Sequence, residues 1–264
     1  MKTEQFTIAE ISCLLASEQL SDNMIDQLQA DKRKTVAQLL SKYRKRQAVV
    51  AAERQRLQKL YVYEQELYDQ GYELIAGVDE AGRGPLAGPV VVGAVILPKH
   101  CELSFLNDSK QLSSASREKL YNVIHETALA ISYEVIDQEI IDTKNIYYAT
   151  IEGMYRCLKN LPIKPDAALI DAVPLSDLTM PSRSIIDGDR LSASIAAASI
   201  IAKVERDRIM VQYDAQYPQY GFARHKGYGT HEHCNALQQW GPCPIHRKTF
   251  EPVKSLIASQ RFSR

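Results

Sequence analysis

The chain has 264 residues, 45% of them hydrophobic and 24% charged, an ordinary globular composition that excludes disordered and collagen-like proteins and allows one or two domains. Its longest apolar run, Val90–Leu97, is far shorter than the roughly 20 residues that span a bilayer. The first twenty residues contain no apolar segment flanked by basic residues, so no secretory signal is expected. Five cysteines without a Cys-x-x-Cys pair suit a reducing compartment. We therefore expect a cytoplasmic protein without a membrane partner, and a monomer.

The net charge of zero conceals a regional pattern. Residues 1–70 hold 11 basic and 10 acidic side chains, residues 71–202 hold 11 and 17, and residues 203–264 hold 10 and 5. Within the first segment, Lys32–Lys59 contains ten basic residues and one acid, Glu53. Basic stretches on both sides of an acidic middle suggest that the flanks bind a polyanion while the middle binds a metal. Solvated helix faces would give the same pattern, and charge alone does not separate the two interpretations.

The first seventy residues contain neither glycine nor proline, which favours helices. Thr7-Ile-Ala-Glu10 has the pattern of a capping box at a helix start. Asp31–Gln70 predicts one or two long helices, with Gly71 as the stop signal. We expect a basic, all-helical N-terminal extension over residues 1–71 and a second domain over residues 72–264.

From Tyr72 onward, short apolar runs alternate with glycine and proline. The predicted strands are Glu73–Val78, Val90–Leu97, Ala130–Ile136, Ala167–Ile170 and Ser184–Ile186. The predicted helices are Ser113–Thr127, Asp142–Asn160 and Ser192–Tyr213. The last of these helices begins with small Ala and Ser side chains, which would allow close approach to a sheet. The order predicts an α/β fold with a mixed sheet covered by helices, followed by a helical C-terminal part.

Acidic side chains stand where three of the predicted strands end. The acids are Asp79 and Glu80, then Asp171, then Asp187 and Asp189. Each junction alone is an ordinary turn or helix cap. Adjacent strands would bring these acids together, and clustered carboxylates repel one another unless cations neutralise them. The sequence therefore predicts an oxygen-rich site for Mg²⁺ or Mn²⁺.

The turn after the first predicted strand is Gly82-Arg83-Gly84-Pro85. Neighbouring side chains on a regular strand point to opposite faces, so Asp79 and Glu80 can serve one site only if the strand ends there. The glycines and the proline predict that ending. The glycines would also let backbone N–H groups approach a ligand closely, with the arginine presented between them.

Four runs in this sequence resemble bacterial type 2 ribonuclease H, the ribonuclease HII family. They are Gly77–Gly84, Asp108–Leu112, Ser194–Lys203 and Tyr220–Thr230, and the likeness covers residues 72 to about 250. The resemblance implies an RNase H-like fold with two divalent metal ions, Mn²⁺ or Mg²⁺. It assigns their ligands, which are also the catalytic residues, to Asp79, Glu80, Asp171 and Asp189. Asp189 is preferred to Asp187 because the fourth acid of the family lies eight residues before the Ala-Ala-Ser-Ile run, here Ala197–Ile200.

The resemblance also implies how substrate is bound. It assigns Gly82, Arg83 and Gly84 to the 2′-hydroxyl of the target ribonucleotide, and Tyr228 to the sugar beyond the RNA–DNA junction. That division is physically sensible because only the 2′-hydroxyl distinguishes RNA from DNA at one nucleotide. Lys110 is a candidate phosphate contact, although a surface lysine would look the same.

The implied enzyme is an endoribonuclease that acts on RNA–DNA hybrids and on DNA duplexes containing ribonucleotides. It hydrolyses the RNA strand of hybrids, cuts 5′ of embedded ribonucleotides and leaves 3′-OH and 5′-phosphate ends. The implied biological role is the removal of ribonucleotides from DNA. Type 3 relatives usually carry Gly-Thr-Gly where this chain has Gly82-Arg83-Gly84, so type 2 is the better match.

Three alternatives follow from the same residues. A structural zinc site could use the histidines and cysteines near the C-terminus, His231, His233, Cys234, Cys243 and His246, although their spacing does not match a zinc knuckle. A recombinase or junction resolvase of the same fold would also carry clustered acids. A non-catalytic protein could bind nucleic acid through the basic N-terminal helices, but the acids at every matching position argue against it.

Overall fold

A computed structural model describes residues 6–16, 20–99, 101 and 103–262. The chain divides into two compact units, Met1–Arg56 and Leu57–Arg264. This division lies before residue 71 because Leu57 and Leu60 belong to the hydrophobic core of the larger unit. Among the described residues, no helix is both long enough and apolar enough to cross a membrane.

The smaller unit is helical, as predicted. It contains α1 (Ile8–Ala16), α2 (Asp22–Gln29) and most of α3 (Lys34–Leu60). The predicted capping box is present: the Thr7 N–H donates to Glu10 Oε2 at 2.7 Å, and the Glu10 N–H donates to Thr7 Oγ1 at 3.2 Å. The helices bury one apolar cluster: Ile11, Leu15, Leu28, Val36, Leu40 and Tyr43.

The larger unit begins with the end of α3 and with α4 (Val62–Asp69), and Gly71 then stops the helical segment with a φ of +92°. Its sheet contains β1 (Ile75–Ala81), β2 (Val90–Ile96), β3 (Ala130–Ile136), β4 (Ala167–Asp171) and β5 (Ser182–Ile185) in the order β3-β2-β1-β4-β5. The β1–β2 and β2–β3 pairs are antiparallel, whereas β1–β4 and β4–β5 are parallel. The predicted mixed sheet is confirmed.

Helices cover the sheet and form the C-terminal part. They are α5 (Ser114–Thr127), α6 (Gln138–Lys144), α7 (Ile146–Lys159), α8 (Gly188–Leu191), α9 (Ala193–Gln216), α10 (Phe222–His225), α11 (His231–Trp240) and α12 (Val253–Phe262). The prediction of one helix over Asp142–Asn160 is wrong. Asn145 interrupts it with a φ of 65°, and its Oδ1 accepts from the N–H groups of Tyr147 and Tyr148 to start a new helix.

Helix α9 lies with its backbone directly against the sheet. A Cβ on Gly77 would stand 2.0 Å from the carbonyl carbon of Ser194, and one on Gly93 would stand 2.5 Å from the Ala198 carbonyl oxygen. The small residues at the start of this helix therefore allow the close approach that the sequence predicted. Helix α7 packs against the opposite face, with Met154 in the core there.

A buried carboxylate fixes the start of α9. Glu64 of α4 accepts a hydrogen bond from Ser192 Oγ at 2.6 Å and one from the Ser194 N–H at 2.9 Å. The Ser192 Oγ in turn accepts from the Ile195 N–H, capping the helix. Burial raises the pKa of Glu64, and the hydrogen bonds from the two serines only partly oppose that rise. Residues just before the predicted second domain therefore support the segment that carries Asp189.

Candidate active site

Three carboxylates converge at the end of the sheet. Asp79 and Glu80 belong to β1 and Asp171 ends β4, and one oxygen from each lies within 4.8 Å of the others. The sequence predicted that β1 ends at these acids, but it continues to Ala81 along β2. The acids can serve one site because β1 separates from β4 there: the β1–β4 pairing stops at Val78, one residue before Asp79. We call these three residues the acid cluster.

Burial and mutual repulsion make the acid cluster unfavourable without cations. Burial raises the pKa of Asp79, and the charges of Glu80 and Asp171 raise it further. Burial is also the main cause of the raised pKa values of Glu80 and Asp171. Glu80 Oε2 is buried and has no hydrogen-bond partner among the described residues. Closely spaced carboxylate oxygens with an unused acceptor fit a divalent ion such as Mg²⁺ or Mn²⁺.

Asp189 lies beside the acid cluster on the short helix α8. It is buried, and its Oδ2 is 3.5 Å from Lys110 Nζ. Burial raises the pKa of Asp189, with further contributions from the charges of Asp108 and Asp171. Asp187, the alternative fourth acid, is exposed and adopts a left-handed φ of 55°. Asp189 thus has the buried position of the two, although it stands outside the group of three oxygens that meet within 4.8 Å.

Asp108 is a charged residue near the site to which the sequence assigned no role of its own. It is buried and accepts from the Lys110 N–H at 2.9 Å and from the Arg190 guanidinium at 3.2 Å. Burial alone would raise the pKa of Asp108, but these hydrogen bonds and the charge of Lys110 lower it overall. Asp108 therefore fixes the backbone of Lys110 next to Asp189, while the lysine side chain itself remains largely exposed.

The two glycines around Arg83 serve different purposes. Gly82 has a φ of +98°, and a Cβ there would lie 1.9 Å from Nε of the buried Arg206. A Cβ on Gly84 would meet only Tyr228 Cε1, at 3.9 Å. The first glycine therefore makes room for a buried arginine, and the second leaves open space beside Tyr228. Between them, Arg83 Nη1 lies 3.3 Å from Glu80 Oε1, so the loop touches the acid cluster.

The side chain of Tyr228 is exposed, and buried histidines contact its backbone. The Tyr228 carbonyl accepts from His233 Nδ1 at 2.9 Å, and His233 Nε2 lies 3.0 Å from His246 Nε2. His246 Nδ1 accepts from the Cys243 N–H at 3.0 Å. This pattern is complete only when both rings are neutral. Burial lowers the pKa of His233 and of His246 to about 4, in agreement with neutral rings.

The same hydrogen bonds argue against the zinc alternative. Both ring nitrogens of His233 and of His246 already contact a partner. Across the described parts of the chain, the acid cluster is the group whose His, Cys, Asp or Glu ligand atoms lie close enough to hold a metal.

Solved structures with this fold include two ribonucleases H. The ribonuclease H2 from Pyrococcus horikoshii superposes with a TM-score of 0.61 at 26% identity, covering 72% of this chain and 99% of that one. The Bst-RNase HIII in complex with Mn²⁺ superposes with a TM-score of 0.52 at 19% identity, covering 72% and 71%. The fold is RNase H-like, and with the acid cluster it defines the class of metal-dependent nucleases.

Sequence comparison identifies the family within that class. The family model "Ribonuclease HII" matches residues 76–253, and "Ribonuclease HII N-terminal domain" matches residues 7–68. Ribonuclease HII of Enterococcus faecalis is 49% identical over 92% of this chain and 95% of its own length. That of Pelotomaculum thermopropionicum is 48% identical over 97% of both. The chain belongs to the ribonuclease HII family, which cleaves the RNA of RNA–DNA hybrids, and it is a metal-dependent endonuclease. The resemblance seen in the sequence is confirmed.

Proposed function

We propose that this enzyme hydrolyses the RNA strand of RNA–DNA hybrids and also cuts 5′ of single ribonucleotides embedded in duplex DNA. The observation that carries the proposal is the contact between the acid cluster and the segment Gly82-Arg83-Gly84, which we call the glycine loop. In this contact Arg83 Nη1 is 3.3 Å from Glu80 Oε1. The segment that would recognise the sugar thereby lies next to the carboxylates that would take part in cleavage of the phosphodiester backbone. We call Gly82, Arg83, Gly84 and Tyr228 the ribose sensor.

In this proposal the ribose sensor distinguishes RNA from DNA by the 2′-hydroxyl, the only difference at one sugar. Gly84 leaves the space into which a sugar would fit, and the ring of Tyr228, 44% exposed, borders that space. An aromatic face there would pack against the next sugar. A 2′-hydroxyl that accepts hydrogen bonds from backbone N–H groups of the glycine loop would hold the scissile bond next to the acid cluster.

The acid cluster together with Asp189 would hold two divalent ions, Mg²⁺ or Mn²⁺. When bound, such a pair activates water and stabilises the leaving oxygen in phosphodiester hydrolysis. The four carboxylates supply the negative charge that two divalent ions require. Lys110, whose ammonium group lies near Asp189, would place its positive charge next to a substrate phosphate. The products would carry 3′-OH and 5′-phosphate ends, as ribonucleotide removal from DNA requires.

The test uses three substrates of one sequence: a DNA duplex, the same duplex with one ribonucleotide, and an RNA–DNA hybrid. With Mg²⁺ or Mn²⁺, we expect cleavage of the last two and of neither strand of the first. End mapping should place the single cut 5′ of the ribonucleotide, with a 5′-phosphate on the downstream product. Cleavage of the hybrid without any cut at the lone ribonucleotide would contradict the proposal, as would a cyclic phosphate product. Asp79→Asn serves as the inactive control.

A further inference from the structure

Two buried arginines lie next to the ribose sensor, and neither has an ion-pair partner among the described residues. Arg206 of α9 and Arg247, which precedes α12, are both fully buried. Within the described residues, their hydrogen bonds all go to backbone carbonyl oxygens. Burying a guanidinium is strongly unfavourable unless hydrogen bonds replace its water. Two such groups at one place therefore call for a reason beyond packing.

Arg247 fixes the orientation of two peptide groups of the ribose sensor. Its Nη2 donates to the Gly82 carbonyl at 2.6 Å and its Nη1 to the Arg83 carbonyl at 2.8 Å. In a planar trans peptide the N–H points away from the C=O. The N–H groups of Arg83 and Gly84 therefore point away from Arg247. Neither N–H donates to a partner in the described part of the chain.

Arg206 connects the two halves of the ribose sensor. Its side chain occupies the space that a Cβ on Gly82 would fill. Its Nη2 donates to the Lys226 carbonyl at 3.0 Å, two residues before Tyr228, and its guanidinium carbon lies 5.9 Å from the centre of the Tyr228 ring. Its Nε donates to the Pro89 carbonyl at 3.0 Å, directly before β2. One guanidinium thus contacts the loop and the segment that carries the tyrosine.

We propose that Arg206 and Arg247 are positioning residues that hold the N–H groups of Arg83 and Gly84 at a fixed place relative to the Tyr228 ring. The selectivity of the enzyme for ribose over deoxyribose depends on this arrangement. The inference rests on the proposed ribose-sensing function. Its two parts are separable: Arg247 sets the direction of the loop donors, and Arg206 sets their distance from the tyrosine.

The experiment measures discrimination directly in the full-length chain. In an Asp79→Asn background, which prevents turnover, Kd is measured for two DNA duplexes that differ by one 2′-hydroxyl. The readout is the Kd for the all-DNA duplex divided by the Kd for the duplex with one ribonucleotide, so a larger ratio means stronger discrimination. Lysine keeps the positive charge but cannot donate to several carbonyls with the planar geometry of a guanidinium. We expect Arg247→Lys and Arg206→Lys each to lower the ratio by about five- to tenfold, and to change Kd for the all-DNA duplex by less than about twofold.

Arg156→Lys is the matched control. Arg156 lies on α7, where it pairs with Glu152, and its replacement should leave the ratio unchanged. Thermal unfolding shows which proteins are folded at the temperature of the Kd measurement, and only those are compared. Because the two arginines contact different carbonyls, one variant still tests the proposal if the other fails to fold.

The outcomes separate this inference from the function on which it rests. If the Asp79→Asn protein alone binds both duplexes equally, the ribose-sensing proposal is wrong and this inference falls with it. If that protein discriminates and the folded lysine variants discriminate equally well, the ribose-sensing proposal stands and the positioning roles are overturned. A parallel weakening on both duplexes leaves the ratio unchanged and likewise overturns the positioning roles.

Discussion

His233 joins the backbone of Tyr228 to His246 through its two ring nitrogens, with distances of 2.9 Å to the Tyr228 carbonyl and 3.0 Å to His246 Nε2. In the tautomer in which the Cys243 N–H donates to His246 Nδ1, a proton added to either ring would put two N–H groups against one another or against the Cys243 N–H. This tautomer therefore requires neutral histidines.

This relationship predicts acid sensitivity. In the folded chain the pKa of His233 and of His246 is about 4 because of burial, below the ordinary value of about 6.5. The unfolded chain then binds more protons between these values, so the free energy of unfolding should fall as pH falls from about 6.5 to about 4. The measurement is unfolding by denaturant at a series of pH values. His233→Gln should lower stability at pH 7 and flatten the slope, whereas substitution of the exposed His231 should leave the slope intact. An unchanged slope in His233→Gln would contradict the prediction.

In the acid cluster, a substitution that removes activity should increase stability. Burial raises the pKa of Asp79 above its ordinary value, so its ionisation costs stability at neutral pH. Asp79→Asn should therefore abolish cleavage and yet raise the melting temperature of the metal-free protein. Mg²⁺ raises the melting temperature by binding to the folded state. It should therefore stabilise the original chain more than the variant, because the variant lacks one of the proposed carboxylate ligands.

The matched control for Asp79→Asn is Asp177→Asn, since Asp177 is an exposed acid away from the cluster. It should change neither cleavage nor the response to Mg²⁺. Calorimetric titration with Mg²⁺ provides a readout that does not depend on turnover. A variant at Asp79 that binds Mg²⁺ as tightly as the original chain would argue against its role as a ligand.

Asp189 and Asp187 are only two positions apart in the sequence, but their surroundings differ. Asp189 is buried beside Lys110, whereas Asp187 is exposed in a left-handed turn. We predict that Asp189→Asn lowers the cleavage rate by at least about a hundredfold, the size expected for removal of a group that acts in the transition state. Asp187→Asn should retain a rate within a few-fold of the original. The reverse ranking in single-turnover assays would identify Asp187 as the fourth ligand.

The sequence predicted the parts of the fold that depend on local pattern. Five apolar runs became the five strands, and the small residues of α9 indicated its close packing on the sheet. The break at Asn145 was missed because only its positive φ, set by the tertiary fold, distinguishes it from a helical asparagine. The other features of the fold depend on contacts between residues far apart in the sequence, which a local pattern does not show.

The carboxylates of the site could be predicted, but the residues that support them could not. An acid at the end of an apolar strand, such as Asp171, is a local signal. Arg206, Arg247 and Glu64 look like ordinary surface charges in the sequence, because charged residues are rarely fully buried. Their partners are carbonyls, an N–H group and the Ser192 hydroxyl, all more than a hundred residues away except for the Lys226 carbonyl.

The two glycines of the ribose sensor should respond differently to alanine. Gly82→Ala places a Cβ against Arg206 at a φ of +98°, so we expect a loss of stability of about 2–4 kcal/mol. Gly84→Ala meets only the edge of the Tyr228 ring and should leave stability within about 0.5 kcal/mol. It should nevertheless weaken binding of a duplex with one ribonucleotide, because the methyl group occupies the space for the sugar. Denaturant unfolding and Kd measurements in the Asp79→Asn background check both parts, and equal stability losses would refute the distinction.

The smaller unit should strengthen duplex binding through phosphate contacts. Lys32–Lys59 carries ten basic residues and one acid, and Lys42, Arg44 and Lys45 of α3 are exposed. Each neutralised phosphate on duplex DNA adds a slope of about −0.9 to the dependence of log binding constant on log salt. A fragment of residues 57–264 lacks most of this charge and should bind duplex more weakly, with a shallower slope, while it cuts at the same position. Slopes that coincide for the fragment and the full chain, both as Asp79→Asn, would rule out phosphate contact by this unit.

The choice of fragment matters because Glu64 lies before the predicted boundary at residue 71. A fragment of residues 72–264 would lose the carboxylate that accepts from Ser192 and from the Ser194 N–H at the start of α9. We predict that it melts at a lower temperature than residues 57–264 and binds Mg²⁺ more weakly, since α9 follows directly on the helix that carries Asp189. Glu64→Gln in the longer fragment is the control, because glutamine retains an acceptor oxygen at similar volume and should lose less stability than the deletion. Equal melting temperatures and equal Mg²⁺ affinities for the two fragments would show that α4 does not support the metal site.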